Sequence, residues 1–271
     1  MRRREFLRTT MVGAAIGCST TQPWSAFAEP PSETTTVRII NVGAGCLAPQ
    51  MVADDLLEAD GFTAVEYVKT KKPGWGVVNK TLGDGGADFL MSDAPSFVLG
   101  ADADVALVVL AGVHTGCYEL FGTDRVRSVR DLKGKTIALP NLGSSRQAFV
   151  ASMLKNVGLD PQKDVEWVVH PPLEALRLFA EGKIDGWMGF PPEPQELRAK
   201  KIGHVLVDTK SDRPWSQYFC CMIAGNRDFV RKYPIATKKV VRAILKASEL
   251  CATEPERIAR SHGRPWLCVP L

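Results

Sequence analysis

One strand-and-helix pattern occurs twice in this sequence, and this repeat constrains the fold more than any other feature. The segment 82–91 (LGDGGADFLM) resembles the segment 179–188 (FAEGKIDGWM). In each, a helix ends at a glycine, an aspartate follows three residues later, and a methionine follows three residues after that. The shared order indicates two similar halves within one chain.

The glycines that punctuate each half follow the same order. They stand at Gly45, Gly61 and Gly85 in the first half and at Gly143, Gly158 and Gly182 in the second. Each half has the pattern strand, glycine turn, helix, strand, helix, strand. Strands that alternate with helices are typical of parallel sheets covered on both faces. The sequence therefore predicts an α/β protein with two lobes.

The turns after the strands are the predicted binding positions. In open α/β sheets a ligand binds beyond the carboxyl ends of the strands, so two facing lobes line one cleft. These turns are GAGCL (43–47) and MSDAP (91–95) in lobe one, and LGSS (142–145), HPP (170–172) and GFPPEP (189–194) in lobe two.

The Gly-Ser-Ser turn gives the strongest binding signal. Ser144 and Ser145 occupy the predicted first turn of a helix, after Gly143, which tolerates a positive φ. The unpaired amide groups and the helix dipole make such a turn electropositive, and two hydroxyls suit a carboxylate, sulfonate or phosphate-like oxygen. Plain N-capping by a serine is the alternative. Arg146 either adds charge there or points to solvent.

Other residues at these turns have simpler predicted roles. Glu193 and Glu196 follow a prolyl turn, and we interpret them as first-turn acids on a solvated helix face. His170 stands beside Pro171 and is predicted to belong to a turn. The aromatic residues near the turns are core residues by their type, although one or two can wall a cleft.

Two extended segments connect the predicted lobes and suit a hinge. The apolar run 105–122 leads out of the first half, and the segment 204–226 leads back. His114 and Cys117 on the first and the cysteine pair 220–221 on the second can meet there, which raises a metal or nucleophile hypothesis. The chain has no close ligand spacing, so we expect no metal site and no catalytic residues. Most cysteines are predicted to be small core residues, and disulfide pairing stays open.

The first 28 residues read as an export signal. Four arginines lie within residues 2–8, an apolar stretch follows at 11–17, and Ala-Phe-Ala at 26–28 forms a cleavage site. The order RREFL at 3–7 resembles the twin-arginine motif, and we expect cleavage after Ala28. A lipoprotein cysteine at Cys18 and a basic tail are the alternatives.

Charge and hydropathy exclude two classes of partner. The whole chain has a net charge of +4, and four arginines and one glutamate fall in the first 28 residues. The remainder is close to neutral, so we expect no nucleic acid partner. No apolar run reaches the roughly 18 residues of a membrane span, so we expect no membrane-spanning segment.

Several segments resemble periplasmic substrate-binding proteins of ABC importers, of the nitrate/sulfonate/taurine type, which share the thiamine-pyrimidine-precursor-like fold. They are the signal, DLKGKTIALPNLGSS (131–145), LFAEGKIDGWMGFPPEPQELR (178–198) and DRPWSQYFCCMIAGNRDFV (212–230). The resemblance implies a bilobed type II periplasmic-binding-protein fold with two crossing segments. It further implies a periplasmic monomer, not an enzyme and without a cofactor. Such a protein captures one small anionic or pyrimidine-like solute for an ABC permease and its ATPase.

The predicted domain organisation combines the repeat with this resemblance. We expect an export signal at 1–28, lobe one at 29–113 and 214–260, and lobe two at 114–213 with hinge segments at both ends. The pattern breaks in SHGRPWLCVPL, so we interpret 261–271 as an aberrant tail on a C-terminally incomplete lobe one.

The predicted ligand-binding residues come from the turns, the crossings and the resemblance. By position the resemblance implies Cys46, Ser92, Tyr118, Ser144, Ser145, Phe190 and Tyr218, and the turns and crossings add Gly45, Asp93, Cys117, Gly143 and His170. An enzyme on the same fold, of the pyrimidine or menaquinone pathway type, is the alternative, as is a solute-sensing module. The export signal favours the importer role over a cytosolic enzyme, and the absence of an attached effector or membrane segment argues against the sensing module.

Overall fold

Ten strands in the described part of the chain form two separate five-stranded mixed sheets. The structure is a computed structural model, and it describes residues 29–42, 44–70 and 74–261. Residues 32–261 belong to one unit, whereas residues 29–31 belong to another and contain no helix or strand. The predicted signal at 1–28 and residues 262–271 of the predicted tail lie outside the described residues.

The first sheet draws its strands from both ends of the described chain. They are β1 (Thr36–Ile40), β2 (Ala64–Val68), β3 (Phe89–Asp93), β4 (Leu107–Thr115) and β10 (Phe219–Asn226). Their order in space is β2-β1-β3-β10-β4. Strand β1 pairs in parallel with β2 and β3, and β10 is antiparallel to both β3 and β4.

The second sheet repeats this arrangement. Its strands are β5 (Glu119–Gly122), β6 (Lys135–Leu139), β7 (Val165–Val169), β8 (Gly186–Gly189) and β9 (His204–Asp208). Their order is β7-β6-β8-β5-β9, with β6 parallel to β7 and β8 and with β5 antiparallel to β8 and β9. In both sheets an antiparallel strand, β10 in the first and β5 in the second, lies between the parallel trio and the fifth strand.

The repeated aspartates have the same structural role in the two sheets. Asp88 accepts a hydrogen bond from the backbone amide of Arg38 in β1 at 2.7 Å, and Asp185 accepts one from the amide of Thr136 in β6 at 3.2 Å. Each also binds an arginine, since Arg38 pairs with Asp88 and Arg125 with Asp185, both at 2.7 Å. The repeat in the sequence thus reflects a carboxylate that ties the third strand to the first.

Ten helices cover the sheets within the described residues. They are α1 (Ala48–Val52), α2 (Asp54–Ala59), α3 (Trp75–Gly83), α4 (Ala94–Asp102), α5 (Ser145–Asn156), α6 (Pro172–Ala180), α7 (Glu193–Lys200), α8 (Arg227–Lys232), α9 (Pro234–Thr253) and α10 (Pro255–Ser261). The helix expected after Gly45 is broken at Ala53 into α1 and α2, behind a short 3-10 turn at Gly45–Leu47. The longest helix, α9, packs against α1 and against β4 of the first sheet, and it buries Val240, Ile244 and Ala247.

Two short segments connect the sheets and lie side by side. The first joins β4 to β5 through residues 116–118, so the apolar run 105–122 is two strands of different sheets rather than one. The second joins β9 to β10. Tyr118 donates its amide to the Thr209 hydroxyl at 3.1 Å, and Thr209 donates its amide to the Tyr118 carbonyl at the same distance. The two connections therefore form one hydrogen-bonded hinge region.

Long apolar helices are missing from the described part of the chain. Neither α9 nor any other helix in residues 29–42, 44–70 and 74–261 is both long and apolar enough to span a lipid bilayer.

Candidate functional site

A cavity of about 280 Å³ lies between the two sheets, where the carboxyl ends of several strands meet. It is bordered by β1, β3, α3 and the 3-10 turn of the first sheet, by the first connection, and by the start of α5 and the end of β8 in the second. The lining residues are Val42, Ala44, Cys46, Leu47, Gly74, Trp75, Val78, Ser92, Asp93, Ser96, Cys117, Tyr118, Pro140, Asn141, Ser144, Ser145, Arg146, Phe190 and Cys221. Both halves of the chain therefore contribute walls.

Asp93 links the two halves at the cavity wall. It is the last residue of β3 and the N-cap of α4, where one carboxylate oxygen accepts the Ser96 amide at 2.8 Å. Its other oxygen accepts the Tyr118 hydroxyl at 2.7 Å and the Ser145 hydroxyl at 2.9 Å. A single carboxylate thus joins the first sheet, the connection and the first turn of α5.

The surroundings of Asp93 shift two pKa values. Burial raises the pKa of Asp93, and the hydrogen bonds from Tyr118 and Ser145 together with the charge of Arg146 act against that shift. Burial and the charge of Asp93 raise the pKa of Tyr118 well above its ordinary value. The phenol therefore remains a hydrogen-bond donor at neutral pH.

Arg146 is a buried cation that borders the cavity, but its charge is already paired. It donates to both carboxylate oxygens of Glu193, at 3.0 and 3.1 Å, and to the Met188 carbonyl at 2.9 Å. Its guanidinium lies 5.0 Å from the Trp187 ring centroid and 4.5 Å from that of Phe190. The expectation of a solvated Glu193 was wrong, because this ion pair holds its side chain at 16% exposure.

The Gly-Ser-Ser turn has the conformation that the sequence indicated, but protein groups use its hydroxyls. Gly143 has a φ of 72°, which favours glycine. Ser144 is the N-cap of α5, and its oxygen accepts the Gln147 amide at 3.3 Å. Ser145 donates to Asp93, so a carboxylate of the protein occupies the place predicted for an anion.

Cysteines from three segments meet at the wall of the cavity. Cys117 and Cys220 form a disulfide, which settles the pairing that the sequence left open. The sulfur of Cys221 lies 3.8 Å from that of Cys117. A hydrogen bond with Cys46, followed by burial, raises the pKa of the Cys221 thiol well above its ordinary value. Cys46 and Cys221 are both buried thiols, as expected for small core residues.

His114 supports this region through a hydrogen bond to the backbone of Cys46. Its Nε2 donates to the Cys46 carbonyl at 2.8 Å, and burial lowers its pKa. The imidazole is therefore neutral at pH 7 and holds the 3-10 turn against the end of β4.

Most of the predicted ligand-binding residues come together. Eight of the twelve line the cavity: Cys46, Ser92, Asp93, Cys117, Tyr118, Ser144, Ser145 and Phe190. Gly45 and Gly143 lie beside lining residues in the two turns. His170 and Tyr218 are not lining residues: His170 lies 3.7 Å from Glu174 at the start of α6, and Tyr218 is 65% exposed on the second connection.

Sequence reasoning missed several lining residues. Trp75 and Val78 come from α3, for which the helical pattern was short and gave no sign of which face turns inward. The Trp75 indole donates across the cleft to the Gly143 carbonyl. Asn141 and Pro140 follow β6 directly, so the rule that ligands bind at strand ends could have found them.

Comparisons with known proteins agree with this architecture. The alkanesulfonate-binding protein SsuA of Xanthomonas axonopodis pv. citri, solved with MOPS bound, is 20% identical with a TM-score of 0.67, covering 88% of this chain and 82% of that one. The periplasmic nitrate-binding protein NrtA of Synechocystis PCC 6803 is 18% identical with a TM-score of 0.68, covering 89% and 69%. The fold is thus the bilobed α/β fold of periplasmic binding proteins.

Curated relatives match this chain over different shares of their own length. The bicarbonate-binding protein CmpA of Synechococcus elongatus is 27% identical over 117 residues, which are 42% of this chain and 26% of that protein. The nitrate/nitrite binding protein NrtA of a Nostoc species is 21% identical over 92% of this chain and 66% of its own length. The chain spans about a quarter of the first relative and about two thirds of the second. The NMT1-like family matches residues 30–262, and the chain belongs to that family.

Proposed function

We propose that this protein is a solute-binding protein of an ABC importer, which captures one small solute between its two sheets and delivers it to a permease and its ATPase. The observation that carries this proposal is the cavity at the carboxyl ends of the strands, with walls from both halves of the chain. Its relatives include binding proteins for nitrate, bicarbonate and alkanesulfonate. We propose binding without catalysis.

The charges around the cavity favour a solute that carries a hydrogen-bond donor. The Asp93 carboxylate faces the cavity, and the nearby cation, Arg146, is paired with Glu193. A donor-free oxyanion would meet this carboxylate without compensation, whereas an O–H or N–H group can donate to it. Of the anionic and pyrimidine-like solutes, we therefore favour a protonated oxyanion or an aminopyrimidine.

The size and the walls of the cavity suit a small solute. Its volume of about 280 Å³ is just below the range of about 300–1,000 Å³ for pockets that take drug-sized ligands. Trp75, Tyr118 and Phe190 offer ring surfaces, and Ser92 and Asn141 offer polar groups. This mixture fits a planar molecule with a few polar atoms.

We propose that the solute stabilises a closed form of the two lobes, taken as 29–113 with 214–260 and as 114–213. Two hydrogen bonds cross the cleft, from the Trp75 indole to the Gly143 carbonyl and from the Ser145 hydroxyl to Asp93. A solute in contact with both walls binds the closed form better and shifts the population towards it. The paired connections supply the hinge.

The cellular setting is part of the same proposal. The basic, apolar and small-residue order of residues 1–28 supports twin-arginine export with cleavage after Ala28. We propose that the mature protein works as a monomer in the periplasm, where its relative NrtA from Synechocystis is also placed.

The test compares the binding of two groups of solutes, one with a hydrogen-bond donor and one without. Sodium bicarbonate and 4-aminopyrimidine carry a donor, whereas sodium nitrate, sodium acetate and sodium ethanesulfonate carry none at pH 7.5. We expect a rise in the midpoint of thermal unfolding, and one-to-one binding by calorimetry, for the first group. Asp93→Asn introduces an amide donor, so binding should move towards the donor-free anions.

The matched control is Asp84→Asn, which removes an exposed carboxylate after the end of α3. This variant should keep the wild-type order of solutes. Equal binding of both solute groups by the wild type, or an unchanged order in Asp93→Asn, would remove Asp93 from the account. No binding of any solute to a folded wild type would remove the proposed solute chemistry.

A further inference from the structure

Four cysteines form a cluster next to the cavity, and neither the fold nor the proposed solute binding explains it. This thiol cluster consists of Cys46, Cys117, Cys220 and Cys221. The sulfur atoms of Cys46, Cys117 and Cys221 all lie within 4.8 Å of one another, and all three residues are buried. Cys117 is also the disulfide partner of Cys220.

The cluster is assembled from three segments that are far apart in the sequence. Cys46 lies in the 3-10 turn after β1, Cys117 in the first connection, and the pair 220–221 in β10. Neighbouring side chains of a regular strand point to opposite faces, so one sulfur atom cannot contact both members of such a pair. The register of β10 with β4 shifts between Phe219 and Met222, and at this irregularity both cysteines reach Cys117.

The spacing of the three sulfur atoms matches a thiolate metal site. Zn–S bonds are about 2.3 Å long with tetrahedral geometry, which puts two sulfur ligands about 3.8 Å apart. The sulfur atoms of Cys117 and Cys221 are 3.8 Å apart, and Cys46 completes the triangle within 4.8 Å. Thiolates are soft ligands, which select zinc and copper(I) over magnesium and calcium.

We propose that the reduced protein holds one Zn²⁺ ion on the sulfur atoms of Cys46, Cys117 and Cys221, and that the Cys117–Cys220 disulfide abolishes this site by removing one of its three ligands. All three residues line the cavity, so the ion is reached from the cleft. The sequence-based expectation of no metal site rested on the spacing of ligands along the chain. That spacing does not reveal a site whose ligands come from three separate segments.

Reduction of the disulfide precedes metal binding. A dithiol reductant gives two electrons and two protons to the disulfide, which becomes the thiols of Cys117 and Cys220 while the dithiol becomes its own disulfide. Zn²⁺ then displaces the protons of the three ligand thiols, which pass to the solvent. Cys220 is not needed as a ligand, and this point makes the proposal testable without a reductant.

The experiment uses a background in which the other three cysteines of the sequence, Cys18, Cys251 and Cys268, are replaced by serine. The purified protein, reduced with dithiothreitol and desalted without oxygen, is titrated with zinc chloride against a chromogenic chelator. Cobalt(II) chloride serves as a spectroscopic probe, because its thiolate charge-transfer and d–d bands report sulfur ligands and tetrahedral geometry. No solute is added, so failure here leaves the solute-binding proposal untouched.

The reduced background protein should bind one Zn²⁺ per chain, and its disulfide form should bind none tightly. The background carrying Cys220→Ser should bind one Zn²⁺ without any reductant, because it keeps all three ligands and cannot form the disulfide. Cys46→Ser and Cys221→Ser should each weaken binding by more than about 100-fold, since loss of even an outer partner costs about 10- to 100-fold.

Three results would overturn the proposal. The first is a folded, reduced background protein that binds no stoichiometric Zn²⁺. The second is Zn²⁺ binding by Cys46→Ser that equals that of the background. The third is a cobalt spectrum without thiolate bands. If Cys221→Ser does not fold, Cys46→Ser and Cys220→Ser still decide the matter, because their expected results are opposite.

Discussion

Removal of either partner of the Arg146–Glu193 ion pair should strongly destabilise the protein, whereas replacement of both by apolar side chains should cost less than either single change. The two side chains are only 8% and 16% exposed, and their bidentate contact is at 3.0–3.1 Å. Glu193→Leu leaves the guanidinium with the Met188 carbonyl as its remaining oxygen acceptor among the described contacts. Arg146→Met leaves the buried carboxylate without this cation.

The expected magnitude follows from this burial. A single change that leaves an unpaired charge in a buried pair costs about 3–5 kcal/mol of unfolding free energy. In the double variant, apolar side chains of similar volume replace both charges, and such replacements are often neutral. For a chain of this size, about 3 kcal/mol corresponds to a fall of about 6–12 °C in the unfolding midpoint.

The assay is urea denaturation of the wild type, both single variants and the double variant at pH 7. The matched control is the exposed pair Arg177–Glu181 at the end of α6, whose coupling should not exceed about 0.5 kcal/mol because solvent screens it. Additive losses for Arg146 and Glu193, or a coupling as weak as that of the control pair, would refute the view that this cation is neutralised. It would then be available to a bound anion.

Three further predictions concern the cleft and the hinge. Because burial raises the pKa of Asp93, the wild type should lose stability relative to Asp93→Asn as the pH rises above the ordinary aspartate value of 3.8; the urea midpoint of the wild type minus that of Asp93→Asn should fall from pH 4 to pH 8, and a difference that stays constant or increases contradicts this. The disulfide encloses a sequence separation of 103 residues, so the double change Cys117→Ser/Cys220→Ser should cost about 2–5 kcal/mol in urea, and an unchanged midpoint would count against its role in stability. Gly116 has a φ of 52°, and a Cβ there would lie 2.5 Å from backbone of the second connection; Gly116→Ala should therefore lower the unfolding midpoint more than Gly134→Ala, which has open space, and equal falls would contradict the close approach.

The sequence predicted the two sheets well, because one structural requirement recurs in both halves. Asp88 and Asp185 each accept a hydrogen bond from a backbone amide of the first strand in their sheet. Both halves therefore have an aspartate at the same place in the pattern, and this made the repeat visible in the sequence. Local residue preferences also account for two helix starts. Asn226 caps α8 through the amides of Asp228 and Phe229, both at 3.0 Å, and Pro234 begins α9.

The polar partners in the cleft could not be predicted, because they join segments distant in the chain. The sequence allowed Ser144 and Ser145 to cap a helix or to bind an anion. In the structure Ser144 caps α5, and Ser145 binds the Asp93 carboxylate instead of a free anion. Arg146 had two predicted orientations, and only the position of α7 in space shows that Glu193 meets it.

The contacts among cysteines show the same limit of sequence reasoning. A strand with regular pleating would have separated the side chains of Cys220 and Cys221, and the irregular register of β10 is not visible in the residues themselves. Cys46 lies in a 3-10 turn. The sequence indicated only a turn before a longer helix at this place. The turn at Cys46 and the irregular register of β10 depend on neighbouring strands, so the sequence pattern could not predict that these cysteines meet.

The most direct test of the central claim, that a small solute binds between the two sheets, is calorimetry on a variant with a filled cavity. Ser92→Phe places a ring into the cavity, and Ser152→Phe places the same ring on the exposed face of α5. We expect one bound bicarbonate or 4-aminopyrimidine per chain for the wild type and Ser152→Phe, and none for a folded Ser92→Phe. Equal binding by both variants would contradict it.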